Sequence, residues 1–241
     1  MGLAETARFG LMVPLITNDF LKLVKEWNQR LMRLILVRHG HVVGISPPRF
    51  RGRADLPLTE LGERQAQATA ERLRAAYRPV ALYTSPQRRA VFTARAIGAV
   101  FDLDPLELAD FSDIDYGQWQ GFSQEESAGP HLSEMRLWKR APHLAMIADG
   151  EALADVAARV VRAIGVLVRR HQGYDVLLVG HDSVNRITLL HALALPLSKH
   201  WAIGQAPCAI NEIDFRSEPE TDRPVVVNLV NDTWHLRDIH A

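Results

Sequence analysis

The chain has 241 residues, of which 47% are apolar and 23% charged, a balance that suits a soluble domain with a sizeable core. Its 28 Lys and Arg cancel its 28 Asp and Glu, so no global charge directs it to nucleic acid or an anionic membrane, and any anion site must be a local cluster. The lone Cys208 excludes an internal disulfide or a thiolate metal cluster and reads as a small buried hydrophobe in a reducing, cytoplasmic setting.

In chain order, Glu5 and the Pro-interrupted LMVPLI run make a poor signal peptide, and no apolar run reaches the roughly 20 residues of a membrane span. Thr17-Asn18-Asp19 can cap a helix in which Phe20, Val24, Trp27 and Leu31 recur at helical spacing. Residues 1–31 therefore read as a helical extension to a main domain at 32–241, though Met32 could equally be an alternative start. The helix could cap a monomer or serve a homodimer.

Strands are expected at 34–37, 81–84, 176–179, 209–215 and 225–230. The first and third are near-continuous apolar runs, as in strands covered on both faces. Between them, Ala66, Thr69, Ala70, Leu73 and Tyr77 form one helical face. Ser85-Pro86, an N-cap with proline in the first turn, opens a second helix carrying Ala90, Ala94, Ile97 and Phe101. Leu153, Val156, Val160, Ile164 and Leu167 mark a third, ended by Gly173. Residues 112–150, rich in Gly, Ser, Gln and Trp with one short helical piece near SEMRLWKR, read as a small lid insertion. The alternation predicts a three-layer α/β/α sandwich with a mostly parallel central sheet.

Ligands of such sheets gather beyond the carboxyl ends of the strands, and three strand ends here carry chemistry. LILVRHGHVVG delivers Arg38, His39, Gly40 and His41; TSPQRRA delivers Arg88 and Arg89 in a helix's opening turn; LLVGHDS delivers His181, Asp182 and Ser183. Arginine forks bind two phosphate oxygens at once. A histidine among arginines is pushed to the neutral form a nucleophile needs, and Gly40 would let the backbone approach the phosphate. Alone, each residue is as well explained by an ion pair or by packing; their joint placement points to a phosphoryl group.

LILVRHGHV, FRGRADLPLTELGERQA, TSPQRRAVFTA, IDYGQWQGFS, DGEALADVAARV and LLVGHDSVNR resemble, in order, the motifs of the histidine phosphatase superfamily, also called phosphoglycerate mutase-like. The resemblance implies that His39 is the nucleophile that becomes a phosphohistidine, with Arg38, Arg89 and His181 as the rest of the phosphate pocket. It places the general acid, usually a Glu, on Asp113, with Asp115 as the other candidate. Gly40, His41, Arg51 and Ser183 complete the candidate substrate contacts. The family's Glu-Thr after Arg-His-Gly and its later Asn are replaced here by His41, Val42 and Ile45, so one phosphate ligand is missing or supplied by His41. Asp182-Ser183 stand where Gly-Gly is common, and Asp182 is expected to cap its helix in preference to pairing with Arg186. Arg51 and Arg53 could reach a second acidic group on the substrate or form surface ion pairs. Trp119, Phe122, Trp138 and Trp201 could line the lid or fill core.

The stretch between Asp113 and His181 is short for a mutase lid, which favours hydrolysis of a small phosphomonoester by a two-step, metal-independent route with no cofactor. Mutase-type transfer is the nearest alternative. A non-catalytic phosphate-binding relative, or a metal-dependent hydrolase built on His39-x-His41 with His181 and Asp182, would be the others.

Overall fold

The computed structural model describes residues 30–123, 131–216 and 225–239; the expected N-terminal helix lies outside them. Six strands form one sheet in the order β3-β2-β4-β1-β5-β6: β1 Arg30–Arg38, β2 Pro79–Thr84, β3 Leu106–Glu107, β4 Tyr174–Gly180, β5 Ile210–Arg216 and β6 Val225–Asp232. β1, β2, β3 and β4 pair in parallel, and β5 runs antiparallel to both its neighbours. The sheet is thus mostly parallel.

Side chains alternate across the strands, so each central strand feeds two cores. Leu34 and Leu36 of β1, with Val176 and Leu178 of β4, pack into one buried cluster with α4 (Leu153–Arg170) and α5 (Asp182–Ala192). Ile35 and Val37, with Leu177 and Val179, pack into the other with α1 (Glu60–Ala76) and α2 (Arg88–Ala99). This double burial is why the strands read as unbroken apolar runs.

β1 starts at Arg30, inside the segment assigned to the extension, because its ladder to β5 continues to the Arg30–Arg216 pair. β3 escaped the sequence because it has two residues, both exposed, paired to Tyr83 and Thr84. The second helix begins at Arg88 rather than beside Ser85-Pro86; the Ser85 hydroxyl is engaged elsewhere, as described below. The stretch at 112–150 carries α3 (Leu132–Arg140) and shares the first core, where Ile114, Trp119 and Trp138 are buried. Phe122 and Trp201 are half-exposed.

Candidate active site

The sheet register assembles the site. β1 and β4 place Arg38 beside Gly180, and β2 and β4 place Thr84 beside Val179. One residue further, the His39 amide donates to the Gly180 carbonyl (3.0 Å) and the Ser85 amide to the Val179 carbonyl (3.1 Å). The strands therefore end together, and His39 and His181 emerge side by side. Their rings are buried, with centroids 5.2 Å apart and planes inclined by 60°.

His39 Nδ1 lies 2.7 Å from the Gly40 carbonyl. A carbonyl only accepts, so Nδ1 carries the proton and the lone pair of the neutral ring sits on Nε2. Burial, then the charges of Arg89, His181 and Arg38, hold this imidazole well below its ordinary pKa. His181 is depressed in the same way, by burial first and then by Arg89 and Arg38. Its Nε2 meets Ser85 Oγ at 2.7 Å and Gln87 Oε1 at 3.1 Å.

Arg89, in the first turn of α2, is fully buried and its donors are spent on fixed acceptors. It donates to the Ala54 carbonyl (2.8 Å), the Gly52 carbonyl (2.7 Å), Asp113 Oδ2 (3.0 Å) and His39 Nε2 (3.2 Å). Arg88 instead points to solvent and pairs with Asp55 at 3.7 Å. Arg38 is held by the Gln205 carbonyl. Its Nε, and His181 Nδ1, are buried without a protein partner. Arg38 Nε is an unpartnered buried donor, which costs about 1–3 kcal/mol. An oxyanion beside it would satisfy it and would draw a proton onto His181 Nδ1, which is bare in the neutral ring whose Nε2–H meets Ser85 Oγ and Gln87 Oε1.

Asp113 reaches the same point. Besides Arg89, it accepts from Ser183 Oγ and from the Ile114 amide (3.0 Å), and its Oδ2 is 3.7 Å from His181 Nδ1. Burial raises its pKa against the pull of Arg89, with the charge of Asp182 adding to the rise. Asp115 accepts from the Gly117 amide at 2.9 Å and closes its own turn. The two carboxylates thus part company, because 112–116 is not a strand and does not alternate.

Several expected contacts fall elsewhere. The Gly40 amide donates to Thr93 Oγ1 (3.0 Å), so it does not face a phosphate. Its lack of a side chain serves packing: a Cβ on Gly40 would stand 2.5 Å from the Gly62 carbonyl, and one on Gly62 would stand 2.2 Å from the His41 carbonyl. The His41 ring bonds Thr59 Oγ1 (2.9 Å), the N-cap of α1, and turns from the pocket. That also separates it from His39, so the paired metal ligands are not assembled; among the described residues no cluster of three or more His, Cys, Asp or Glu could hold a metal ion. Ser183 spends its hydroxyl on Asp113. Asp182, expected to cap, opens α5 without a cap bond and pairs with Arg186 at 3.7 Å.

A cavity of about 220 Å³ opens over this centre, lined by Arg38, Arg51, Asp113, Tyr116, Asp182 and Arg186 among others. Arg53 lies outside it, paired with Glu151 at 3.2 Å. Sequence reasoning missed Ser85 and Gln87 as partners of His181, Thr93 as the partner of Gly40, and Tyr116 on the cavity wall. Ser85-Pro86-Gln87 sat in plain view, read for its capping geometry and not for the polar side chains it presents to the neighbouring strand end.

Residues 34–231 match the sequence profile of the histidine phosphatase superfamily, branch 1. The chain is 30% identical over 211 residues to phosphoserine phosphatase 1 of Hydrogenobacter thermophilus, covering 88% of this chain and 97% of that protein. It is 28% identical over 209 residues to a metal-independent phosphoserine phosphatase of Arabidopsis thaliana, covering 86% of this chain and 84% of that one. Among solved structures, Bacillus stearothermophilus YhfR superposes with a TM-score of 0.78 at 27% identity, over 85% of this chain and 99% of that chain.

Proposed function

The chain belongs to the histidine phosphatase superfamily, and on that footing we propose that it is a metal-independent phosphomonoester hydrolase working through a phosphohistidine on His39. In the first step His39 Nε2 attacks phosphorus in line, and the bond from phosphorus to the leaving oxygen breaks. That oxygen keeps the electron pair and takes the proton of Asp113. Arg38, Arg89 and His181 neutralise the charge spread over the non-bridging oxygens, the largest service such a site gives to phosphoryl transfer. In the second step water attacks phosphorus and gives a proton to Asp113. The phosphorus–nitrogen bond then breaks and phosphate leaves, returning the imidazole to its neutral state.

The observation that carries this reading is the buried pair of imidazoles, 5.2 Å between centroids, with Arg89 donating to the proposed nucleophile and to the proposed acid at once. Three supports follow from it. The depressed His39 supplies a neutral nucleophile. The raised Asp113 holds a proton more readily than an exposed carboxyl. The guanidinium of Arg89 is already in place, and its Nε–H passes from His39 Nε2 to a phosphoryl oxygen as the ring attacks. Asp113, one methylene shorter than the Glu usual in the family, is drawn in by Arg89 and Ser183. Its substrates are small phosphorylated metabolites, and phosphoserine, named for two of its relatives, is the first to try.

The test is a phosphomonoester panel assayed with a chelator present, followed by acid-quench and alkali-quench trapping of the phosphoenzyme. We expect phosphate release by the native protein, an acid-labile and alkali-stable label on His39, and loss of both in His39→Ala. Isomerisation of a phosphoglycerate outrunning hydrolysis would overturn the reading in favour of a mutase. No turnover of any ester would overturn it in favour of binding alone.

A further inference from the structure

Two guanidiniums on the cavity wall have no task in the chemistry above. Arg186, on α5, donates Nε to the Ile203 carbonyl (2.9 Å) and pairs with Asp182 (3.7 Å). Its guanidinium stacks 5.0 Å from the centroid of Trp201. Trp201 is fixed in turn, its indole N–H donating to the Trp138 carbonyl at 3.0 Å. Arg51 is held by the Gly44 and Arg49 carbonyls, and its Nε is buried without a partner. Among the described residues Arg51 has no ion pair with a carboxylate, whereas Arg53, two positions on, has Glu151. Two arginines held this firmly, facing one cavity, are oriented before any ligand arrives, so little side-chain freedom is left to lose.

The cavity's charge balance points the same way. Arg38, Arg51 and Arg186 line it against Asp113 and Asp182. Asp113 already has Arg89, which does not line the cavity. Asp182 is held ionised against the cost of its burial by Arg38, Arg186 and Arg51. It compensates part of this charge and leaves an excess of positive potential over a wall that includes Ile45, Phe50, Tyr116, Trp138 and Trp201. The reacting phosphoryl group, seated between His39 and His181, answers to Arg38 and Arg89. The excess at Arg51 and Arg186 therefore awaits a second negative group.

We propose that the leaving alcohol carries a second anionic group, received by Arg51 and Arg186, and that these two arginines set which phosphomonoesters the enzyme selects. Trp201 and Asp182 are positioning residues that hold Arg186. The proposal rests on the hydrolase reading and deepens it. A carboxylate and a second phosphate share the required chemistry, and the experiment separates them.

Matched esters make the test. O-phosphoserine is compared with O-phosphoethanolamine, which keeps the ammonium and lacks the carboxylate; ethylene glycol bisphosphate is compared with its monophosphate. Charge-assisted contacts of this kind are worth about ten- to hundredfold in discrimination. We expect kcat/KM to favour the charged member of at least one pair by that factor, and the favoured pair names the group. In Arg186→Gln and Arg51→Gln the ratio within that pair should collapse toward one, with most of the change in KM. Arg186→Lys, which keeps the charge and loses the fork, should fall between. Because each ratio comes from one preparation, a partly folded variant does not disturb it. Equal efficiency on both members of both pairs, or variants that retain the native ratio, would overturn the subsite and leave the hydrolase standing. Hydrolysis of other esters of the panel but of none of these four would overturn the subsite alone, and no hydrolysis of any ester would overturn the hydrolase reading and the subsite with it.

Discussion

The floor of the cavity and its mouth are both rich in arginine, yet they are built by different means. At the floor, parallel strands in register end together, and backbone hydrogen bonds of 3.0 and 3.1 Å fix the residues that follow. At the mouth, Arg51 hangs on loop carbonyls and Arg186 on a half-exposed tryptophan. A sheet end tolerates no drift and suits a centre where a misplacement of about an ångström costs two orders of magnitude. A loop rim can change its cargo while the floor stays as it is. The proposed chemistry is anchored where strands end in register, and the proposed choice of substrate lies where it can be edited.

The hardest blow to that division is Arg89→Leu. It would strand Asp113 in a buried site without its cation and release the Gly52 and Ala54 carbonyls. Turnover should fall by about a thousandfold, and stability by about 3–5 kcal/mol, read from aryl phosphate kinetics and a denaturant melt. Near-native turnover would mean that the floor is not where the phosphoryl group is handled. Next in size is Asp113→Asn. On an alkyl phosphate, whose leaving group needs a proton, kcat should drop about 10²- to 10⁴-fold. On p-nitrophenyl phosphate, whose leaving group does not, the drop should be much smaller, and equal losses on both would remove Asp113 from the role of acid.

Acid should find the floor before the mouth. His39 and His181 are held below their ordinary value of 6.5, so below that pH the unfolded chain takes up protons that the folded chain refuses. Their contribution to stability is whole above about 6.5 and is lost as the pH falls toward their folded values. Melts between pH 7 and 5 should decline less steeply in His181→Gln, and parallel slopes would show that other groups set the acid limit. The smallest effect belongs outside the cavity. Arg53→Ala breaks a surface pair with Glu151 and should cost under about 1 kcal/mol, with no change in selection between matched esters. A changed selection would extend the mouth to a residue we place beyond it.

The same division governs what the sequence disclosed. Apolar runs and helical spacing gave the central strands, the main helices and the strand ends, so His39, Arg89 and His181 could be placed before any coordinates. Asp113 was nameable through its neighbours in an order of motifs, and its separation from Asp115 became visible only with the Gly117 turn. Gly40 was read for its freedom, although what demands it is a helix that comes close in space from over twenty residues later. His41 and Ser183 were legible as polar neighbours of His39 and His181, but not the partners that claim them, Thr59 and Asp113. Periodicity reports which face a residue occupies, and says nothing of which polar group will be waiting there. Arg186 had been named only as a partner of Asp182; the tryptophan that stacks on it comes from a turn the pattern did not reveal.

The meeting of Gly40 and Gly62 has a mechanical consequence. With backbone against backbone and no side chain to compress, the link behind His39 has no slack of its own. A shift of the backbone beside His39 must therefore be shared with α1. For the same reason the two positions form a double lock: neither can acquire a side chain unless α1 and the backbone at 40–41 first part.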